Sequence, residues 1–142
     1  MTSSRPAVGA MLDERSEAIR TKDLDRLMSF YSEDVVYFDL VPPLRYTGSA
    51  ALRGRFQDWF DGFDGPIRQD IHELDVAESG DLAVTHMLIR AGGTLRNGPE
   101  VGFWVRATSC CRWSDHRWEI AHEHISLPVD LATRSAVADL VP

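Results

Sequence analysis

The sequence predicts an α+β fold: a cone-shaped domain in which a curved antiparallel sheet wraps around N-terminal helices and encloses a hydrophobic pocket. Three observations lead there. Apolar residues at helical spacing are confined to the part of the chain before Gly65-Pro66. After that dipeptide come four long segments rich in β-branched and aromatic residues, separated by short turn signals. Helices gathered early and strands late give an α+β arrangement, and a strongly curved sheet capped by helices leaves a conical hollow.

In order, Ala10 to Thr21 reads as a surface helix carrying Ala10, Met11, Ala18 and Ile19 among many charges. Asp23 is placed to cap a second, short helix with Leu24, Leu27, Met28 and Tyr31 on one face. Ser32-Glu33-Asp34 ends it, and Val35 to Leu40 is a strand stopped by Pro42, Pro43 and Gly48. Ser49 caps a third helix whose apolar stripe is Leu52, Phe56, Trp59, Phe60 and Phe63. Such a stripe packs on a sheet, and its aromatic content also suits a pocket wall. The strands are Ile67 to Glu78, Leu82 to Ala91, Val101 to Trp113 and Trp118 to Leu127. Short turns between them imply an antiparallel meander. The tail from Asp130 to Leu140 reads as a last helix or a disordered end.

The 142 residues suit a single domain, 1–142, with a core from about 11 to 130. Lys plus Arg number 15 and Asp plus Glu 22, a formal net charge of −7. The basic residues are scattered, so neither nucleic acid nor an anionic membrane is expected as a partner. No apolar run is long enough to span a bilayer, and Met1 to Val8 lacks the apolar stretch of a signal peptide. Cys110 and Cys111 are adjacent and would point to opposite faces of a strand, so they read as free thiols in a reducing cytoplasm.

Asp39 ends the strand rich in β-branched and aromatic residues, and an acid there costs free energy unless something satisfies or uses it. A strand-end cap is the plainer reading. The company further along raises the other one. Strict alternation puts Trp118, Ile120, His122, His124 and Ser126 on one face, with Glu119, Ala121, Glu123 and Ile125 on the other. Trp118 and Ile120 demand burial, so His122 and His124 are expected to enter the same interior. Phe103, Val105, Ala107, Ser109 and Cys111 should also face the hollow, leaving Trp104, Arg106, Thr108, Cys110 and Arg112 outside. Asp39, His122 and His124 are thus the candidate acid/base residues. A structural hydrogen-bond network of the same three groups stays open, as does a metal held by His122 and His124 with Asp39 or His86. Tyr37, Tyr46, Phe56, Trp59, Phe60, Phe63, His86, Ser109 and Trp118 are the candidate ligand contacts.

Four stretches carry a resemblance that spans nearly the whole domain, from about Met11 to Asp130. They are Lys22 to Tyr31, Val35 to Asp39, Tyr46 to Arg53, and Trp118 to Pro128. In this order they resemble a SnoaL-like protein of the ketosteroid isomerase and nuclear-transport-factor-like superfamily. The resemblance implies the cone fold and a general base at Asp39, nine residues before Gly48. The family's tyrosine would fall near Arg15 and its neutral acid near Ser109, so the usual donors are missing. A true steroid isomerase is therefore not expected. Nor is the limonene-epoxide-hydrolase arrangement, because Ala107 and Thr108 follow Arg106.

The residues imply acid/base work without an organic cofactor, and the resemblance implies an isomerase, polyketide cyclase or dehydratase acting on an apolar carbonyl compound, polyketide-like or terpenoid-like. No Gly-rich phosphate loop points to a nucleotide. The alternative is a non-catalytic ligand-binding or association module of the same fold. In either case the expected partners are an apolar small molecule and a second copy of the chain, through a face bearing Trp104, Arg106 and Arg112.

Overall fold

The computed structural model describes residues 5–142. Helix α1 (Val8–Arg20) buries Val8, Met11, Leu12, Arg15, Ser16, Ala18 and Ile19, a stripe at spacings of three and four that faces the sheet. Lys22 takes a left-handed conformation (φ 55°) just beyond its end. Asp23 then caps α2 (Leu24–Met28) by accepting the Arg26 N–H at 3.2 Å. Helix α3 (Ser49–Asp61) buries Leu52, Phe56 and Phe60, and each such side chain removed from water contributes about 1.5–3 kcal/mol. Its N-cap is Gly48, with φ 89°, and not Ser49.

One six-stranded sheet carries the fold. Its strands are β1 (Tyr31–Phe38), β2 (Tyr46–Thr47), β3 (Phe63–Ser79), β4 (Leu82–Leu95), β5 (Glu100–Ser114) and β6 (Arg117–Ser126), in the order β2-β1-β6-β5-β4-β3. The four long strands are the expected antiparallel meander. Pairing of β1 with β6 is parallel, which local pattern does not foretell. Strand β1 starts earlier than the sequence predicts. The polar run Ser32-Glu33-Asp34 is a bulge inside it, where the register against β6 jumps from Tyr31↔Ile120 to Val36↔His122. Asp39 accordingly lies just past the strand.

A register shift between His72 and Asp75 and the Gly92-Gly93 pair bend the sheet. At Gly92 (φ 150°) a Cβ would run into the carbonyl oxygen of Val101, so the close approach of β4 and β5 there requires glycine. On β4, Ala83, Thr85, Met87, Ile89 and Ala91 face the helices, and on β5 so do Val105, Ala107, Ser109 and Cys111. The tail is neither the last helix nor the disordered end that the sequence suggests. It makes a hairpin of β7 (Val129–Asp130) and β8 (Ser135–Ala136), because Asp130 accepts the Ala132 N–H at 2.9 Å and Arg134 turns left-handed. No helix of the described residues is long and apolar enough to cross a membrane.

Candidate functional site

The site begins with a charge placed where none is expected. Arg15 on α1 points from the helix stripe into the core and is 2% exposed. Its Nη2 donates to Glu123 Oε1 at 2.6 Å, and its Nε donates to the Tyr31 hydroxyl at 2.8 Å. That hydroxyl donates in turn to Glu123 Oε1 at 2.7 Å, and the Ser109 hydroxyl donates to Glu123 Oε2 at 2.6 Å. Glu123 is fully buried and carries all three donors. Burial is the largest single influence and opposes the Arg15 charge, but Glu123 together with Tyr31 and Tyr37 outweighs it, and the guanidinium is held charged more firmly than usual. Burial likewise raises the phenols of Tyr31 and Tyr37 well above their ordinary range. The third nitrogen of Arg15, Nη1, is buried and has no protein partner.

Above this network lies a hollow of about 80 Å³ bordered by Arg15, Tyr37, Gln69, Asp39 and Arg55 among apolar walls. Phe56, Trp59 and Phe63 form one wall; Ile89, Phe103, Val105 and Ile125 form the other. The Phe56 ring contacts both Tyr31 and Tyr37 at centroid distances of 5.5 Å, linking the buried network to the cavity wall. Towards the mouth, Asp39 Oδ2 accepts from Arg55 Nε at 2.8 Å while Oδ1 accepts the Leu40 N–H at 2.6 Å. The Asp39 side chain is only 8% exposed. The volume is small beside the roughly 300–1,000 Å³ of ordinary ligand pockets, so it fits a small ligand rather than a multi-ring one.

The structure brings Asp39, Tyr37, Phe56, Trp59 and Phe63 to this hollow. It does not bring the histidines. The expectation that His122 and His124 share a face with Trp118 and Ile120 is corrected by a bulge in β6: Cys111 pairs with Ile120 but Cys110 pairs with His122, so Ala121 is an extra residue. Beyond it the alternation reverses. Glu123 and Ile125 turn inward, and His122 and His124 turn outward around the Phe38 ring at 4.8 and 5.4 Å. His122 Nδ1 is 2.7 Å from the Val36 carbonyl. His86 also faces outward, 67% exposed and 3.3 Å from Asp75, away from the hollow. Among the described residues no three His, Cys, Asp or Glu side chains converge to hold a metal.

The remaining candidates sit elsewhere. Trp118 borders a separate hollow with Met11, Phe30 and Trp113, donates to the Pro6 carbonyl at 3.0 Å, and stacks under Arg5. Phe60 packs in the core and Tyr46 pairs opposite Tyr37 across β2 and β1. Ser109 serves Glu123 rather than the cavity. Sequence reasoning missed Glu123, Arg55 and Gln69. A signal for Glu123 was present: Ile120 and Ile125 are an odd number apart, and both can be buried only if the strand bulges between them.

Comparison with known proteins agrees with this architecture. Residues 8–130 match the SnoaL-like domain. Among solved structures, an NTF2-like protein of unknown function from Pseudomonas putida KT2440 is 29% identical, covering 95% of this chain and 94% of its own, with a TM-score of 0.87. A ketosteroid isomerase-like protein from Erwinia carotovora atroseptica is 19% identical over 84% of this chain and 92% of its own, with a TM-score of 0.72. A protein from Novosphingobium aromaticivorans provisionally described as a scytalone dehydratase is 14% identical over 96% and 93%, with a TM-score of 0.79. No curated protein matches. With a curved sheet packed on its helices, a hollow between them and the family match over most of its length, the chain belongs to the SnoaL-like domain family of the NTF2-like superfamily.

Proposed function

We propose that this protein is a cofactor-independent acid/base enzyme, an isomerase, cyclase or dehydratase acting on a small apolar carbonyl compound of polyketide or terpenoid type. One observation carries the reading: a nearly buried carboxylate, Asp39, borders an apolar hollow and is held in place by Arg55. Asp39 would take a proton from the carbon next to the carbonyl, leaving the electron pair on the carbonyl oxygen as an enolate. The Asp39 carboxyl then returns that proton, either to a more distant carbon of a conjugated enolate, giving isomerisation, or to a β-hydroxyl that leaves as water, giving dehydration. Tyr37 stays protonated at neutral pH and can donate to a ligand oxygen. The narrow hollow argues against a four-ring steroid. His122 and His124, on the outer side, have no part in this reading.

The test is deuterium exchange. Small ketones incubated with the protein in D2O are followed by proton NMR for loss of the α-proton signal. The wild type should accelerate exchange, and Asp39→Asn should lower the enzymatic rate by roughly 10²–10⁴-fold, the usual contribution of a positioned base. Exchange that survives Asp39→Asn would sink the role assigned to Asp39. Absence of exchange across the panel would favour the binding-module alternative.

The proposal extends to a homodimer through the outer face of the sheet. That face presents Trp104, set edge-to-face against His72 at 4.8 Å, and leaves Leu82 and Val84 exposed. Light scattering on the purified protein should give a mass near twice the 16.0 kDa of one chain. A monomer at tens of micromolar would overturn it.

A further inference from the structure

We infer that Gln69 is a specificity-determining residue of the hollow, whose side-chain amide binds a hydroxyl group of the ligand, so that the protein takes neutral one-ring hydroxycarbonyl compounds; this rests on the hollow being a small-molecule site.

Gln69 interrupts an apolar row. On the inner face of β3 it stands between Ile67 and Ile71, where alternation calls for a third apolar side chain. The residue is 4% exposed. Its backbone carbonyl accepts from Arg20 Nη2 at 2.9 Å, which ties β3 to α1, but among the described residues the side-chain amide has no hydrogen-bond partner. Nor is the amide sealed off. Arg15 Nη1, Ser16 Oγ and Ser32 Oγ are unpartnered and enclosed, whereas the oxygen and nitrogen of Gln69 keep open surface on a residue that borders the hollow. Ala91 and Gly92, paired opposite Gln69 and Arg68 on β4, are small and line the same hollow, which leaves room over the amide. An amide at this depth costs free energy unless whatever fills the hollow supplies a donor or an acceptor.

The strand order gives the hollow two polar ends. Tyr37 and Asp39 come from β1 and its end, Gln69 comes from β3, and three strands, β6, β5 and β4, separate them along the sheet. Only the curvature of the sheet brings both to one hollow, so they meet a ligand from different sides. A ligand whose carbonyl lies at Asp39 therefore offers Gln69 a second group.

The chemistry of the amide narrows that group. It presents one oxygen acceptor and two N–H donors. An ether or a second ketone only accepts and leaves Oε1 unpaired. A hydroxyl donates and accepts through a single heavy atom, so it can pair with either end of the amide. Charge is disfavoured: Arg15 is balanced by Glu123 and Arg55 by Asp39, so an ionised ligand group would be buried without a counterion. A site built around a hydroxyl disfavours the analogue that lacks it, because its own buried polar group is then left unpaired.

The experiment compares meta- and para-hydroxyacetophenone with meta- and para-methylacetophenone, pairs of one-ring ketones in which a methyl replaces the hydroxyl. Affinities are measured by NMR titration at about pH 6, where the phenols are neutral. In a purely apolar hollow the methyl probe of each pair binds more tightly, since burying a methyl is favourable and burying an unpaired hydroxyl is not. The wild type should instead bind at least one hydroxyl probe about tenfold more tightly than its methyl counterpart, the worth of one good hydrogen bond. Two apolar variants, Gln69→Met and Gln69→Leu, guard against a packing fault in either one. A folded variant should reverse the preference, and the better of the two should melt no lower than the wild type, because an amide without a protein partner contributes little to the fold.

Methyl probes bound as tightly or more tightly in both wild-type pairs, a hydroxyl preference that survives in a folded variant, or loss of the fold in both variants would each overturn the inference. Binding of none of the four probes would overturn it together with the reading of the hollow. Asp39→Asn separates it from the reaction proposed above: that variant should keep the hydroxyl preference while losing α-proton exchange. A preference without exchange in the wild type would refute the reaction and leave the role of Gln69 standing.

Discussion

Replacing Glu123 by Leu removes the acceptor of three buried donors at once. Arg15 Nη2 and the hydroxyls of Tyr31 and Ser109 all lose it, at distances of 2.6, 2.7 and 2.6 Å in the intact network. The dominant cost is the stranded guanidinium, which is 2% exposed and cannot reach water without moving α1. Breaking a buried pair by removing one partner costs about 3–5 kcal/mol. In a domain of this size that lowers Tm by roughly 6–20 °C at about 2–4 °C per kcal/mol. Circular dichroism melting at pH 7 measures it. Restoring balance with Arg15→Met in the Glu123→Leu background should recover at least half of the loss, since an apolar pair of similar volume replaces a buried ion pair nearly neutrally. What remains is the two hydroxyls without their acceptor, about 1 kcal/mol each. If Glu123→Leu cost under about 1 kcal/mol, or if the double variant were less stable than the single, the argument that Arg15 is held by Glu123 would be wrong.

Three further outcomes follow from the same structure. His124→Ala should change stability by no more than about 0.5 kcal/mol and leave any catalysis intact, because the ring is exposed on the outer face; loss of turnover with unchanged melting would restore His124 as a functional residue. Gly92→Ala should destabilise by about 3 kcal/mol or more in urea titration, since the added Cβ meets the Val101 carbonyl at a φ that L-residues avoid; a mild effect would mean that β4 and β5 can separate. Alkaline titration tests the buried protons. Burial pushes the Cys111 thiol up to about 12 and raises Tyr31 and Tyr37 well above 10.0. Folded pKa values above unfolded ones mean stability is full below the unfolded values and is lost as pH rises through the window between them. Urea midpoints should therefore fall from about pH 9 upward, by up to about 1.4 kcal/mol per pH unit for each group. A flat profile to pH 11 would refute the burial of these protons.

The parts legible in the sequence are those set by short-range pattern. The helical stripes of α1 and α3 show in the spacing of Met11, Ala18 and Ile19 and of Leu52, Phe56 and Phe60. The inward set Val105, Ala107, Ser109 and Cys111 follows from unbroken alternation on β5. Asp39 stands out because proline and glycine end its strand. Local chemistry decides all of these: helical or two-residue periodicity, turn residues, and the cost of exposing apolar surface.

What the tertiary structure decided is the outcome of long-range pairing. The parallel contact of β1 with β6 joins residues some ninety positions apart, and no local preference encodes it. The bulge at Ala121 inserts a single residue, and that one step exchanges the faces of everything after it. It takes His122 and His124 out of the interior and puts Glu123 in. Arg15 looks like an ordinary charge on a surface helix when only its neighbours in sequence are counted. It belongs in the core because Glu123, 108 residues away, supplies the opposite charge that makes its burial affordable.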